Sequence, residues 1–174
     1  VRPDDWHLHL REGSILDKVL DYSSNVFSRA LIMPNLSSPV LSPLDATNYK
    51  KEIQKRLTKN SKFVPLMTLY LTESTKPQVI KELKRSGLIT AIKYYPAGAT
   101  TNSKYGINSF KAILPVLEQM ALCGIPLCVH GEMPNEEYDI FDKEKLFIEL
   151  VLDQIRRILP ELKITFEHIT TSEA

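Results

Sequence analysis

The chain is poor in cysteine and tryptophan and shows no excess of either charge. Cys123, Cys128 and Trp6 are the only residues of their kinds, and 22 Lys and Arg face 21 Asp and Glu among 174 residues. Two cysteines are too few for a disulfide scaffold, and a lone pair five residues apart does not make a zinc-thiolate site. A net charge of +1 lacks the basic face of a nucleic-acid binder, so no nucleic-acid partner is expected. No apolar run approaches the roughly 18 residues of a membrane helix, and no charged-then-apolar signal segment opens the chain. These absences point to the cytoplasm and to a small-molecule partner. The first residue is Val1 and not Met, so a missing upstream part is expected.

The length suits a single domain over residues 1–174. Hydrophobic residues at 43% and charged residues at 25% are close to the average of globular proteins. Apolar strand-like runs alternate with helix-like segments. The strands expected are Asp5–Leu10, Arg29–Pro34, Lys62–Leu71, Leu88–Tyr95, Ile125–His130 and Lys163–Ile169. Ser42-Pro43-Leu44-Asp45 combines a cap residue, a first-turn proline and an early acid, and predicts a helix to about Lys59. A second helix over Val79–Arg85 stops at Gly87, with Ser74 or Thr75 ahead of Pro77 at its start. Apolar residues near helical spacing predict a third over Lys143–Leu159, ended by Pro160. Ser109–Leu122 also reads as helical, with a kink expected at Pro115. Strands alternating with helices predict a parallel sheet. An open doubly wound sheet and a closed (β/α)8 barrel share this rhythm. Neither a G-x-G-x-x-G nor a P-loop follows any strand, which removes the usual nucleotide-binding evidence for the open form.

The polar residues narrow the choice. His7 and His9 close the first expected strand, His130 the fifth and His168 the sixth. Positions i and i+2 of a strand share a face, so His7 and His9 can offer two imidazoles to one point. In a barrel the C-terminal strand ends converge on one mouth, which would bring His130 and His168 to the same place. Lys93 ends the apolar run Ile89–Ile92. Burial there disfavours its ammonium, and a neutral amine can act as a base, form a Schiff base or take up CO2 as a carbamate. By parity Trp6 points away from the histidines, outward on to helices. Cys123 and Cys128 read as apolar packing residues. Glu167 points opposite to His168 by strand parity. Neither it nor Glu132 is assigned a role.

Taken together, five segments resemble the dihydroorotases of the amidohydrolase superfamily. They are Asp5-Trp6-His7-Leu8-His9-Leu10-Arg11-Glu12-Gly13, Ile32-Met33-Pro34-Asn35-Leu36, Lys93–Asn102, Val129-His130-Gly131-Glu132 and Phe166-Glu167-His168-Ile169-Thr170. Their order and spacing agree along essentially the whole chain, and the likeness is to the shorter type found as a separate enzyme. The resemblance implies an α/β fold, a (β/α)8 TIM barrel, with about six of its eight units in this chain. It implies two zinc ions, one on His7 and His9, the other on His130 and His168, bridged by carbamylated Lys93. It also implies Arg11 and Asn35 as substrate contacts, a mobile loop over residues 96–106 bearing Thr100 and Thr101, and assembly as a homodimer. The reaction implied is the reversible cyclisation of N-carbamoyl-L-aspartate to L-dihydroorotate in pyrimidine biosynthesis.

The chain departs from that pattern in length. A barrel of this kind occupies about 250 residues, and six strands are counted before Ala174. The family's eighth-strand aspartate has no match here, so no residue is assigned as the proton carrier. The expectation is an N-terminal part of a dihydroorotase, inactive by itself. Two other readings stay open: a different cyclic amide hydrolase such as a hydantoinase, and a non-catalytic dihydroorotase-like assembly subunit.

Overall fold

A computed structural model describes residues 1–134 and 138–174. Six strands, β1 (Asp4–Leu8), β2 (Arg29–Ile32), β3 (Val64–Tyr70), β4 (Ile89–Tyr94), β5 (Leu127–His130) and β6 (Ile164–Glu167), form one sheet in the order β1 to β6. Every neighbouring pair is parallel. The described fold is thus a six-stranded parallel half-barrel, and β1 and β6 are its two edges. It matches the expected alternation and about six of the barrel's units; eight-stranded closure is not seen among the described residues.

Helices cover the outer face: α1 (Gly13–Val26), α2 (Pro43–Arg56), α3 (Pro77–Ser86), α4 (Leu114–Cys123), α5 (Lys143–Phe147) and α6 (Asp153–Ile158). Ser42 caps α2 as expected, its side chain accepting from the Asp45 amide at 3.2 Å. Gly87 ends α3 in the left-handed region at φ 62°, a conformation that costs glycine little. The residue at the α3 start is Lys76, without a side-chain cap. Pro115 does not kink a helix. A 3-10 turn over Phe110–Ile113 precedes α4, and Pro115 sits in its first turn, where its missing N–H costs nothing. The segment expected as one helix from Lys143 is interrupted by a π turn over Ile148–Leu152. Helix α1 carries no side-chain cap at Glu12, and no start signal marks it in the sequence. Among the described residues no helix is long and apolar enough to cross a membrane.

The main core lies between sheet and helices. Ala30 and Ile32 of β2, Met67 and Leu69 of β3, Ile92 of β4 and Leu127 and Val129 of β5 meet Leu16, Leu20, Ile53, Ile80, Leu83 and Leu117 from the helices. Alternate residues face inward, where Leu31, Met33, Ala91 and Cys128 form a small second cluster with Leu66. This inner cluster is the floor on which the polar residues stand. Trp6 points outward as expected but is not covered by a helix. It is 54% exposed, with the Arg29 guanidinium 5.6 Å from its ring centre.

Candidate functional site

The strand ends supply the side chains that enter the half-barrel: His7 lies on β1 and His130 on β5, while His9 and His168 lie just past the ends of β1 and β6. His7 and His9, two residues apart, turn the same way, and their Nε2 atoms approach to 3.1 Å. On the opposite edge the Nδ1 of His130 lies 3.1 Å from the Nε2 of His168. The two pairs are neighbours, with the His7 and His168 ring centres 5.2 Å apart. Between them and beneath lies Lys93, 0% exposed.

His7, His9, His130 and His168, with Arg11, Asn35, Thr100 and Tyr95, line one cavity of about 190 Å³. Two of the sequence-predicted residues, Lys93 and Thr101, are not on its lining; Lys93 is fully buried and donates to Glu167. Thr101 lines an adjoining cavity that Arg11 shares, and only its backbone carbonyl, which accepts from Asn35 Nδ2 at 2.9 Å, ties it to the site. The Asn102 side-chain amide in turn donates to the Asn35 carbonyl at 3.1 Å. Loop 96–106 is tightly knotted. Ser103 accepts from the Thr100 amide at 3.0 Å and donates to the Thr100 carbonyl, and Pro96 bridges to Ile107. Gly98 stands at φ 81°, but Gly106 is no loose hinge, because a Cβ there would lie 2.3 Å from the Tyr95 carbonyl oxygen.

One residue that sequence reasoning set aside occupies the centre. Glu167 is 6% exposed; its Oε2 accepts from Lys93 Nζ, and its Oε1 lies 3.1 Å from His7 Nδ1. The His7 contact is close in distance, yet the ring is not aimed for a directed hydrogen bond and Nδ1 otherwise has no partner. Parity misled because β6 ends at Glu167, and His168 follows at φ 40°. This left-handed step turns two consecutive side chains toward one site. Tyr95 was also missed; it is 1% exposed, and its hydroxyl is buried without a partner.

Burial disfavours the charged forms of His9, His130 and His168. Burial, reinforced by the charges of Arg11, His7 and Lys93, lowers the His9 pKa to about 4. Burial and the neighbouring His168, Lys93 and His7 bring His130 down to about 3. His168 is lowered by burial first and then by Lys93. For Lys93 burial pushes the amine down and outweighs the opposing pull of Glu167. For Glu167 burial raises the carboxyl, but His7 and Lys93 together carry it below its ordinary value. A neutral imidazole presents the lone pair a metal needs.

These donors fit metal ions. Two pairs of imidazole nitrogens converge, and His9 Nδ1, His130 Nε2 and Asn35 Oδ1 are buried without a hydrogen bond, the Glu132 carboxylate lying 3.5 Å from His130 Nε2. Among the described residues no three His, Cys, Asp or Glu side chains converge tightly enough to hold an ion by themselves. Convergence is pairwise, and Lys93 stands where a further ligand would come from. Cys128 belongs to the inner apolar cluster, and burial pushes its thiol up to about 12.

The architecture is an α/β fold of half-barrel type, a parallel sheet with histidines at the C-terminal ends of its strands. An L-hydantoinase from Arthrobacter aurescens shares that fold at a TM-score of 0.61 and 16% identity, over 90% of this chain and 32% of the hydantoinase. Closer similarity is to dihydroorotases, over nearly the whole of this chain. It is 58% identical over 172 residues to the dihydroorotase of Rhizobium rhizogenes, a match covering 99% of this chain and 50% of that protein. The dihydroorotase of Campylobacter jejuni superposes with a TM-score of 0.89 at 38% identity, covering 99% of this chain and 49% of its own. A Saccharomyces cerevisiae dihydroorotase in complex with 5-fluoroorotic acid gives 0.88 at 34%, covering 98% and 48%. The chain thus spans about half the length of the curated relatives it matches. No family model matches it.

Proposed function

We propose that this chain supplies the metal-ligand half of a dihydroorotase active site, in an enzyme that interconverts N-carbamoyl-L-aspartate and L-dihydroorotate. The observation that carries the reading is the meeting of the His7–His9 and His130–His168 pairs over buried Lys93, in one cavity with Arg11 and Asn35. His7 and His9 would hold one zinc ion and His130 and His168 the other, with Lys93 as the carbamylated bridge. Bound there, metal ions supply a water deprotonated near neutral pH and polarise the substrate carbonyl.

The chain's own residues perform the rest. Arg11 offers a planar guanidinium at the cavity wall, suited to a substrate carboxylate. Asn35, 2% exposed and with its Oδ1 free, supports a second polar contact with the substrate. Thr100 brings a hydroxyl to the same wall, and loop 96–106 excludes water when substrate is bound. The depressed Lys93 pKa favours the neutral amine that CO2 requires.

Arg11, Asn35 and the threonine loop favour dihydroorotate over the hydantoins, and the retained ligand positions count against a purely structural subunit. The test is a purified full-length protein containing this chain. About two divalent ions per chain with turnover of carbamoyl-aspartate supports the reading; preference for another cyclic amide, or a metal-free inactive protein, refutes it.

A further inference from the structure

Arg11 does not lie on β1, which ends at Leu8. It is a non-glycine residue at φ 58°, in the left-handed region, so something must hold its backbone there. Three ties fasten the turn. The Arg11 guanidinium donates to the Asn35 carbonyl at 3.1 Å, the Ser37 amide donates to Glu12 Oε1 at 3.0 Å, and the Tyr49 hydroxyl donates to the Arg11 carbonyl at 2.7 Å. Only the last grips the backbone of Arg11 itself, and only it comes from the interior of a helix.

Tyr49 sits on the buried face of α2 with Ala46 and Ile53, and is 6% exposed. A leucine or phenylalanine would serve the core equally well there. The hydroxyl is the part that packing does not explain, and it reaches out of the core to the residue whose carbonyl it binds. Burial, with the nearby Glu12 charge, pushes the phenol well above its ordinary value, so the hydroxyl remains a donor.

We propose that Tyr49 is a positioning residue for Arg11: its hydroxyl fixes the left-handed turn that sends the guanidinium to the cavity wall, and so sets the affinity for a carboxylate-bearing ligand. This rests on the reading of Arg11 as the carboxylate contact.

The test uses the full-length, metal-loaded protein and four forms: wild type, Tyr49→Phe, Arg11→Ala and the double variant. Orotate affinity and the kinetic constants for dihydroorotate are measured on each. Tyr49→Phe keeps the ring and loses one hydrogen bond, so orotate affinity falls about tenfold and KM rises alike, with kcat within about twofold and the melting temperature nearly unchanged. In the Arg11→Ala background the same substitution has no further effect on orotate. Wild-type orotate affinity in Tyr49→Phe, or an equal loss with and without Arg11, overturns the proposal. Unchanged orotate binding in Arg11→Ala overturns the assignment of Arg11 beneath it.

Discussion

Glu167 on β6 accepts a hydrogen bond from Lys93 on β4, although β5 lies between the two strands. Both side chains turn into the half-barrel, and both are almost fully enclosed. Breaking such a pair leaves an uncompensated buried charge, whereas its net contribution when intact is small. Glu167→Ala in the metal-free full-length protein is therefore expected to lower the urea unfolding free energy by about 3 kcal/mol. Glu167→Gln, which keeps an acceptor for Lys93, should cost less. Equal stability of the Ala variant and wild type would show that the pair is not formed.

A second buried carboxylate gives a pH dependence of known sign. Glu144 of α5, 3% exposed, accepts from the amides and hydroxyls of Thr170 and Thr171 at 2.6–3.1 Å. Burial raises its pKa, but the hydrogen bonds from Thr171 and Thr170 outweigh it, and the folded value lies below the ordinary 4.5. A carboxyl depressed on folding stabilises above its unfolded pKa, and that contribution disappears as pH falls through the folded pKa. The urea unfolding free energies of wild type and Glu144→Gln should differ by a constant amount, about 1–2 kcal/mol, from neutral pH down to about 5. The gap should then narrow on further acidification. A gap that widens in acid contradicts the assignment.

Gly106→Ala places a Cβ 2.3 Å from the Tyr95 carbonyl oxygen and 3.0 Å from Ala97 N and Ser103 O, all backbone atoms. No rotamer change relieves that contact. The expected cost is about 2–3 kcal/mol, with faster proteolysis within residues 97–105 as the loop base separates. Limited proteolysis followed by mass spectrometry reads the cut directly, and an unaltered digestion pattern would show that the loop base tolerates the Cβ.

With β1 and β6 as unpaired edges among its described residues, the 174-residue chain by itself invites association. It is expected to aggregate at micromolar concentration and to show negligible dihydroorotate hydrolysis. Light scattering and a turnover assay beside the full-length protein check both. A monodisperse, active 174-residue chain would refute the expectation.

Much of this architecture is legible in the sequence because it rests on local rules. Alternation gave the six strands in order, Ser42 and Gly87 marked real helix ends, and strand parity placed His7 beside His9. What local rules do not carry is long-range or set by a single torsion. Glu167 was set aside on parity, and the positive φ of His168 is what breaks parity at that point. Tyr49 meets Arg11 across 38 residues and a strand-end turn, a contact that no motif announces. Helix α1 lacks both a side-chain cap and a terminal glycine, and its signal was correspondingly weak. Pro115 can break a helix or begin one, and only the 3-10 turn before α4 shows that it begins one.

The central claim is that the two histidine pairs are two metal sites sharing Lys93. Anomalous diffraction at the zinc edge, from crystals of the full-length protein grown with zinc and bicarbonate, tests it most directly. The account predicts two peaks, one between His7 and His9 and one between His130 and His168, with density for a carbamate extending from Lys93 Nζ between them. A single peak, or two peaks with Lys93 unmodified and still bound to Glu167, would contradict it.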